Sequence, residues 1–197
     1  MNLPNQITLF RVLMIPLFLV AYIARPFGDV PSQWVALSIF AIASISDAVD
    51  GAIARRYGLV TNFGKLMDPL ADKLLVCAAL VAFVGSGTLP SWAVVIFISR
   101  EFFVSGIRLL ALEQGAVLAA SMGGKIKTVT QMVLIHFVLV PLPGFVTTAW
   151  PVMYTVWDVA ILALLGCSLA ASVLSGVDYG YKNWGLFHIL GGKDGRP

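Results

Sequence analysis

The sequence predicts an all-α integral membrane protein with six transmembrane helices and both termini on the cytoplasmic side. Three observations predict it. The 197 residues are 59% hydrophobic and 12% charged, with a mean hydropathy of +0.90, whereas a soluble domain is about 45–50% apolar and about 25% charged. The apolar residues fall into six runs of about 18–25 residues, a length that crosses a bilayer core of roughly 30 Å. Arg11, Arg55, Arg56, Lys65, Arg108, Lys125, Lys127, Lys182, Lys193 and Arg196 gather at one set of run ends, with Arg25 at the other. The positive-inside rule then puts both termini in the cytoplasm.

Each element has a local reason. Residues 1–6 are short and polar, and Pro4-Asn5 reads as a helix start with Asn5 as N-cap. The first helix is expected over 7–24, with Thr8 and Arg11 near its start and a kink at Pro16. It continues straight into the fold, so it reads as a retained helix rather than a cleaved leader. A loop at 25–29 leads to a second helix over 32–55. Residues 56–63 form a linker, and a third helix starts near Asn62 or Gly64 and ends near Val84. Residues 85–90 make an uncharged turn. The fourth helix covers 92–112, a polar loop 113–124, and the fifth helix 125–140, which Pro141 and Pro143 end. The sixth covers 151–175. The tail from Asp178 is rich in glycine and aromatics and is expected at the interface or only partly ordered. Trp34, Trp92, Trp150, Tyr154 and Trp157 lie near the ends opposite the basic ones, as an aromatic belt does.

One domain over 1–197 is the natural count. The net charge of +3 is too small to argue for nucleic acid. Cys77 and Cys167 both fall in apolar runs and read as small buried residues without a disulfide framework.

The chemistry concentrates in residues 47–72, D-A-V-D-G-A-I-A-R-R-Y-G-L-V-T-N-F-G-K-L-M-D-P-L-A-D. Asp47 and Asp50 share a helix face, as do Asp68 and Asp72. Gly51 lies one turn after Asp47, and Gly64 one turn before Asp68. Four carboxylates at two helix ends need positive charge to hold them together at neutral pH. An all-oxygen set suits Mg²⁺ or Mn²⁺, and such a cluster could hold two ions that clamp a phosphoryl group. The glycines would let a phosphate or sugar approach the backbone. The plainer alternative is a pair of solvated helix ends neutralised by Arg55, Arg56, Lys65 and Lys73.

The stretch resembles the signature of the CDP-alcohol phosphotransferases, D-x2-D-G-x2-A-R-x8-G-x3-D-x3-D. Asp47, Asp50, Gly51, Ala54, Arg55, Gly64, Asp68 and Asp72 match every fixed position. The text L-M-D-P-L-A-D-K-L-L-V is similar to the phosphatidylglycerophosphate synthase branch. The resemblance implies attack by an alcohol on the lipid-side phosphorus of CDP-diacylglycerol, with loss of CMP. It implies Asp47, Asp50, Asp68 and Asp72 as metal ligands and Asp72 also as the base for the attacking hydroxyl. Gly51, Ala54, Arg55 and Gly64 would form the CDP pocket. A homodimer in a bacterial cell membrane, with the site on the cytoplasmic side, is the expected setting.

A second basic set is Arg100, Arg108 and Lys125. An arginine inside the fourth helix is costly against lipid and should face the interior or a wet cavity; an ion pair of Arg100 with Glu101 or a nearby aspartate is the structural alternative. Arg100 and Arg108 share a face, and Lys125 opens the next helix from the same side. Three cations converging there would make an anion pocket. R-E-x3-S-G-x-R and G-K-I-K-T also resemble the phosphatidylglycerophosphate synthase branch, which implies glycerol 3-phosphate as acceptor. Inositol phosphate or serine would be the alternative acceptors. A divalent-cation transporter is the rival from another class, but it predicts midplane carboxylates and an internal repeat. A catalytically inactive scaffold is the third possibility, and the four intact aspartates argue against it.

Other residues read as structural: His136 as a packing or hydrogen-bonding residue, Asp158 as interfacial, Gly123-Gly124 as a helix start or hinge, and Phe102-Phe103 as lipid-facing or core. Lys65, Arg56 and Lys127 are expected at anionic headgroups. Asn5 and Thr8 enter from the side where a nucleotide would bind.

Overall fold

Helices form wherever the apolar runs were read. The computed structural model describes the backbone of residues 3–57, 62–116, 118, 121–141 and 151–184, and the side chains of 9–46, 73–116, 118, 121–141 and 152–184. Among the described residues there are six α helices and no strand: α1 Leu3–Leu19, α2 Asp29–Tyr57, α3 Asn62–Gly85, α4 Ser91–Glu113, α5 Met122–Leu139 and α6 Pro151–Lys182.

Pro16 sits inside α1, and the helix passes into a π turn at Val20–Ala24. Proline cannot donate the i→i−4 bond, and a wider turn just beyond it is one way to absorb the misfit. Arg25 then leaves the helix in the left-handed region with φ 47°. Its Nη1 pairs with Asp29 Oδ1 at 2.6 Å across the loop, so α2 starts at Asp29 instead of 32. The first helix begins at Leu3, which puts Asn5 inside its first turn and not at the cap. The turn before α4 closes with Thr88 N and Leu89 N both donating to Phe83 O.

The largest departure is at the C-terminus. Instead of stopping at 175, α6 runs on to Lys182. Lys182 Nζ and Asp178 Oδ2 pair at 2.8 Å, one turn apart, within this added stretch. Glycine and aromatic content suggested loss of helix there. The helix persists because Tyr179 packs in a buried cluster with Val104 and Ile107, so tertiary contact overrides weak propensity.

The chain divides into two compact units, one of Met1–Leu89 and Ile135–Trp157, the other of Pro90–Leu134 and Asp158–Pro197. The first has an aromatic core. Phe18 stacks on Tyr22 and tilts against Phe40, with ring centres 6.0 and 5.9 Å apart. Tyr22 meets Phe83 edge-on at 5.3 Å. His136 meets Phe40 edge-on at 5.3 Å, which matches the packing role read for it. The second unit contains α4, the first part of α5 and most of α6, and in it Val104, Ile107 and Tyr179 are buried together with Leu118 packed against them.

Many large apolar side chains face outward, among them Phe27, Val95, Phe102, Leu162 and Leu174. Such broad apolar exposure is not the surface of a soluble monomer and marks a membrane-associated protein. Among the described residues one helix, Val152–Lys182, is long and apolar enough to cross a membrane. Cys167 is exposed rather than buried and Cys77 only partly buried. Cys167 lies on the outward face of α6 beside other exposed residues, so position on the helix decided its exposure.

Candidate active site

The second unit builds a compact charged cluster from α4, α5 and α6. Arg100 leaves α4 and is largely buried, its side chain only 11% exposed. Its Nη1 donates to Glu101 Oε1 at 2.9 Å, and its Nη2 to Ser175 Oγ of α6 at 2.9 Å. Its Nε is buried and has no hydrogen-bond partner among the described residues. Lys127 of α5 bonds to the same Glu101 oxygen. Among the described residues two cations thus share one carboxylate.

Small residues make this possible. A Cβ on Gly176 would lie 3.1 Å from Arg100 Cγ, one on Gly124 3.6 Å from Arg100 Nη2, and one on Gly123 3.1 Å from Ser175 Cβ. Gly123-Gly124 does open α5, as read, and the pair also lets that helix close on Arg100 and Ser175.

Arg108, two turns further along α4, is held by α6 as well. Its Nε donates to Tyr179 Oη at 3.2 Å, and its guanidinium carbon lies 5.5 Å from the same ring's centre. Arg108 and Lys125 are both exposed. Lys125 follows Gly124 in the first turn of α5, so the start of that helix is brought to Arg100.

The expected ion pair of Arg100 with Glu101 is present. Lys127, in contrast, does not reach toward headgroups: it is 3% exposed and tied to Glu101. Glu101, Ser175 and Tyr179 were not singled out as site residues from sequence. The available signal was Glu101 itself, since a carboxylate in an apolar helix demands cationic partners.

Asp47, Asp50, Gly51, Ala54 and Arg55 fall in the last turns of α2, and Gly64, Asp68 and Asp72 in the first turns of α3. The helical backbone keeps each aspartate pair at the spacing of one face. The side chains of these eight residues lie outside the described ones.

A family model described as CDP-alcohol phosphatidyltransferase matches residues 1–163. The chain belongs to this family. It is 44% identical over 193 residues to the CDP-diacylglycerol–glycerol-3-phosphate 3-phosphatidyltransferase of Bacillus subtilis, covering 93% of this chain and 95% of that protein. It is 39% identical over 178 residues to a probable phosphatidylglycerophosphate synthase of Mycobacterium tuberculosis, covering 90% and 79%. A third relative, from Salmonella paratyphi A and named as the Bacillus protein is, is 40% identical over 144 residues, covering 70% and 76%. In this CDP-alcohol phosphatidyltransferase the aspartate signature and the cations of α4 and α5 fall within the matched residues. Ser175 and Tyr179, which hold Arg100 and Arg108, lie beyond them.

Proposed function

We propose that this chain transfers the phosphatidyl group of CDP-diacylglycerol to a hydroxyl of glycerol 3-phosphate, giving phosphatidylglycerophosphate and CMP. The observation that carries this reading is the 44% identity, over 93% of the chain, to the Bacillus protein named for that reaction. The intact aspartate signature supports it.

The donor set suits a pair of divalent ions. Asp47, Asp50, Asp68 and Asp72 offer only oxygen, the ligand type Mg²⁺ and Mn²⁺ prefer, and they come from the end of one helix and the start of the next. These four residues would hold two ions, which when bound supply charge neutralisation for the diphosphate and for departing CMP. Asp72 takes the proton from the acceptor hydroxyl. The hydroxyl oxygen attacks the lipid-side phosphorus, the bond from that phosphorus to the bridging oxygen breaks, and CMP leaves with that oxygen. A carboxylate held anionic is a weak base, so Asp72 acts by position as much as by basicity. Arg55 pairs with the diphosphate, while Gly51, Ala54 and Gly64 leave room for the nucleotide.

Arg100, Arg108 and Lys125 hold the phosphate of the acceptor. The Arg100 Nε, which meets no hydrogen-bond partner among the described residues, and the exposure of Arg108 and Lys125 support this assignment. All six helices span the cell membrane of a bacterium, with both termini and the signature on the cytoplasmic side, and the working unit is a homodimer. The basic-residue asymmetry supports the orientation.

The test follows label from glycerol 3-phosphate into a lipid-soluble product in detergent. Incorporation that requires both CDP-diacylglycerol and Mg²⁺ or Mn²⁺ is expected. Absence of a lipid product with both substrates and metal present would overturn the assignment.

A further inference from the structure

Glu101 sits between Ile98 and Phe102 on an apolar helix, yet a single oxygen of its carboxylate serves two cations. Oε1 accepts from Arg100 Nη1 at 2.9 Å and from Lys127 Nζ. Neighbours in sequence project about 100° apart on a helix and do not naturally face each other. The Arg100 guanidinium nevertheless reaches Glu101 with Nη1, and Ser175 takes Nη2 at 2.9 Å. Gly124 and Gly176 both approach Arg100 closely. Arginine has a long, rotamer-rich side chain, and one held in advance loses less freedom when it binds an anion.

We propose that Glu101 is a positioning residue for the acceptor phosphate: it touches no substrate but fixes the Arg100 guanidinium, while Lys127 fixes the Glu101 carboxylate. The proposal rests on the reading of Arg100 as a phosphate-holding group. Glu101 also offsets the mutual repulsion of the Arg100 and Lys127 cations that share it. Its effect falls on the acceptor and not on the nucleotide lipid, whose proposed contacts lie in residues 47–72.

The experiment is steady-state kinetics of the full chain in detergent, varying glycerol 3-phosphate and CDP-diacylglycerol separately. Glu101→Ala is expected to raise the KM for glycerol 3-phosphate by about tenfold or more, as misplacement of a binding group does, and to leave the KM for CDP-diacylglycerol within about twofold. Glu101→Gln keeps an oxygen at the same reach and should lose less; it carries the comparison if the alanine variant does not fold. In an Arg100→Ala background the Glu101 substitution should add nothing, since it acts only through that arginine. An equal rise in both KM values, or an effect that persists without Arg100, would overturn the proposal. If Arg100→Ala raises the acceptor KM and neither Glu101 variant does, the positioning role falls alone. If Arg100→Ala leaves that KM unchanged, the acceptor reading falls and takes this one with it.

Discussion

Arg108 Nε and Tyr179 Oη lie 3.2 Å apart, joining α4 to a part of α6 that the sequence alone placed beyond the helix. The phenol ring is buried against Val104 and Ile107, so a rigid group sets the direction of an exposed cation. Tyr179→Phe keeps the ring and removes the hydrogen bond. Its loss costs about 0.5–1.5 kcal/mol, so the KM for glycerol 3-phosphate should rise about two- to tenfold with little change in melting temperature. Tyr179→Ala also opens a cavity and should destabilise by about 3–5 kcal/mol. Kinetics and thermal unfolding of the two variants separate the roles.

Two lysines make superficially similar ion pairs. The side chain of Lys127 is 4% exposed and its partner Glu101 20%, whereas Lys182 and Asp178 are 65% and 44% exposed. Removing one member of a buried pair costs about 3–5 kcal/mol, and an exposed helix pair is worth about 0.3–0.5 kcal/mol. Lys127→Met should lower the melting temperature clearly, and Lys182→Met should not. Equal effects would mean that the Glu101 cluster is wet.

The glycines of α4 and α5 should respond in opposite directions. A Cβ on Gly106 meets nothing within 4 Å, so Gly106→Ala in mid-helix should stabilise by about 0.5–1 kcal/mol. A Cβ on Gly123 would meet Ser175 Cβ at 3.1 Å, a stiff contact that α5 can relieve only by moving away. Gly123→Ala should therefore destabilise by about 1–3 kcal/mol and weaken the hold of Ser175 on Arg100. Unfolding in detergent checks the first effect, and the KM for glycerol 3-phosphate the second.

Chelation tests the aspartates. EDTA should abolish turnover, and added Mg²⁺ or Mn²⁺ should restore it. Asp47→Asn and Asp68→Asn should each lose about 10²–10³-fold in kcat, the scale of losing a main electrostatic stabiliser. Full activity in EDTA would remove the dinuclear reading.

The six helices of the described residues and most of their ends were legible because apolar runs bounded by Gly, Pro and charge are strong signals. The end of α6 was not. The glycine content of the tail argued for an earlier stop, but at Gly176 and Gly180 α6 closes on Arg100 and Phe103. The interior position of Arg100 was legible from its cost in an apolar helix. The Arg100–Glu101 pair was readable from sequence, but the bonds of Lys127 to Glu101, Ser175 to Arg100 and Tyr179 to Arg108 became visible only in three dimensions, since they join residues 26 to 75 positions apart. Lys127 in particular sits two residues after Lys125 and looks equivalent to it, yet one is buried and the other exposed; one helical face separates them.

The most direct measurement is CMP release by the purified protein with CDP-diacylglycerol and Mg²⁺, supplied with glycerol 3-phosphate, inositol phosphate, serine or no acceptor. The account predicts release with glycerol 3-phosphate alone, lost in Asp72→Asn. Release that favours inositol phosphate or serine, or that survives Asp72→Asn, would contradict it.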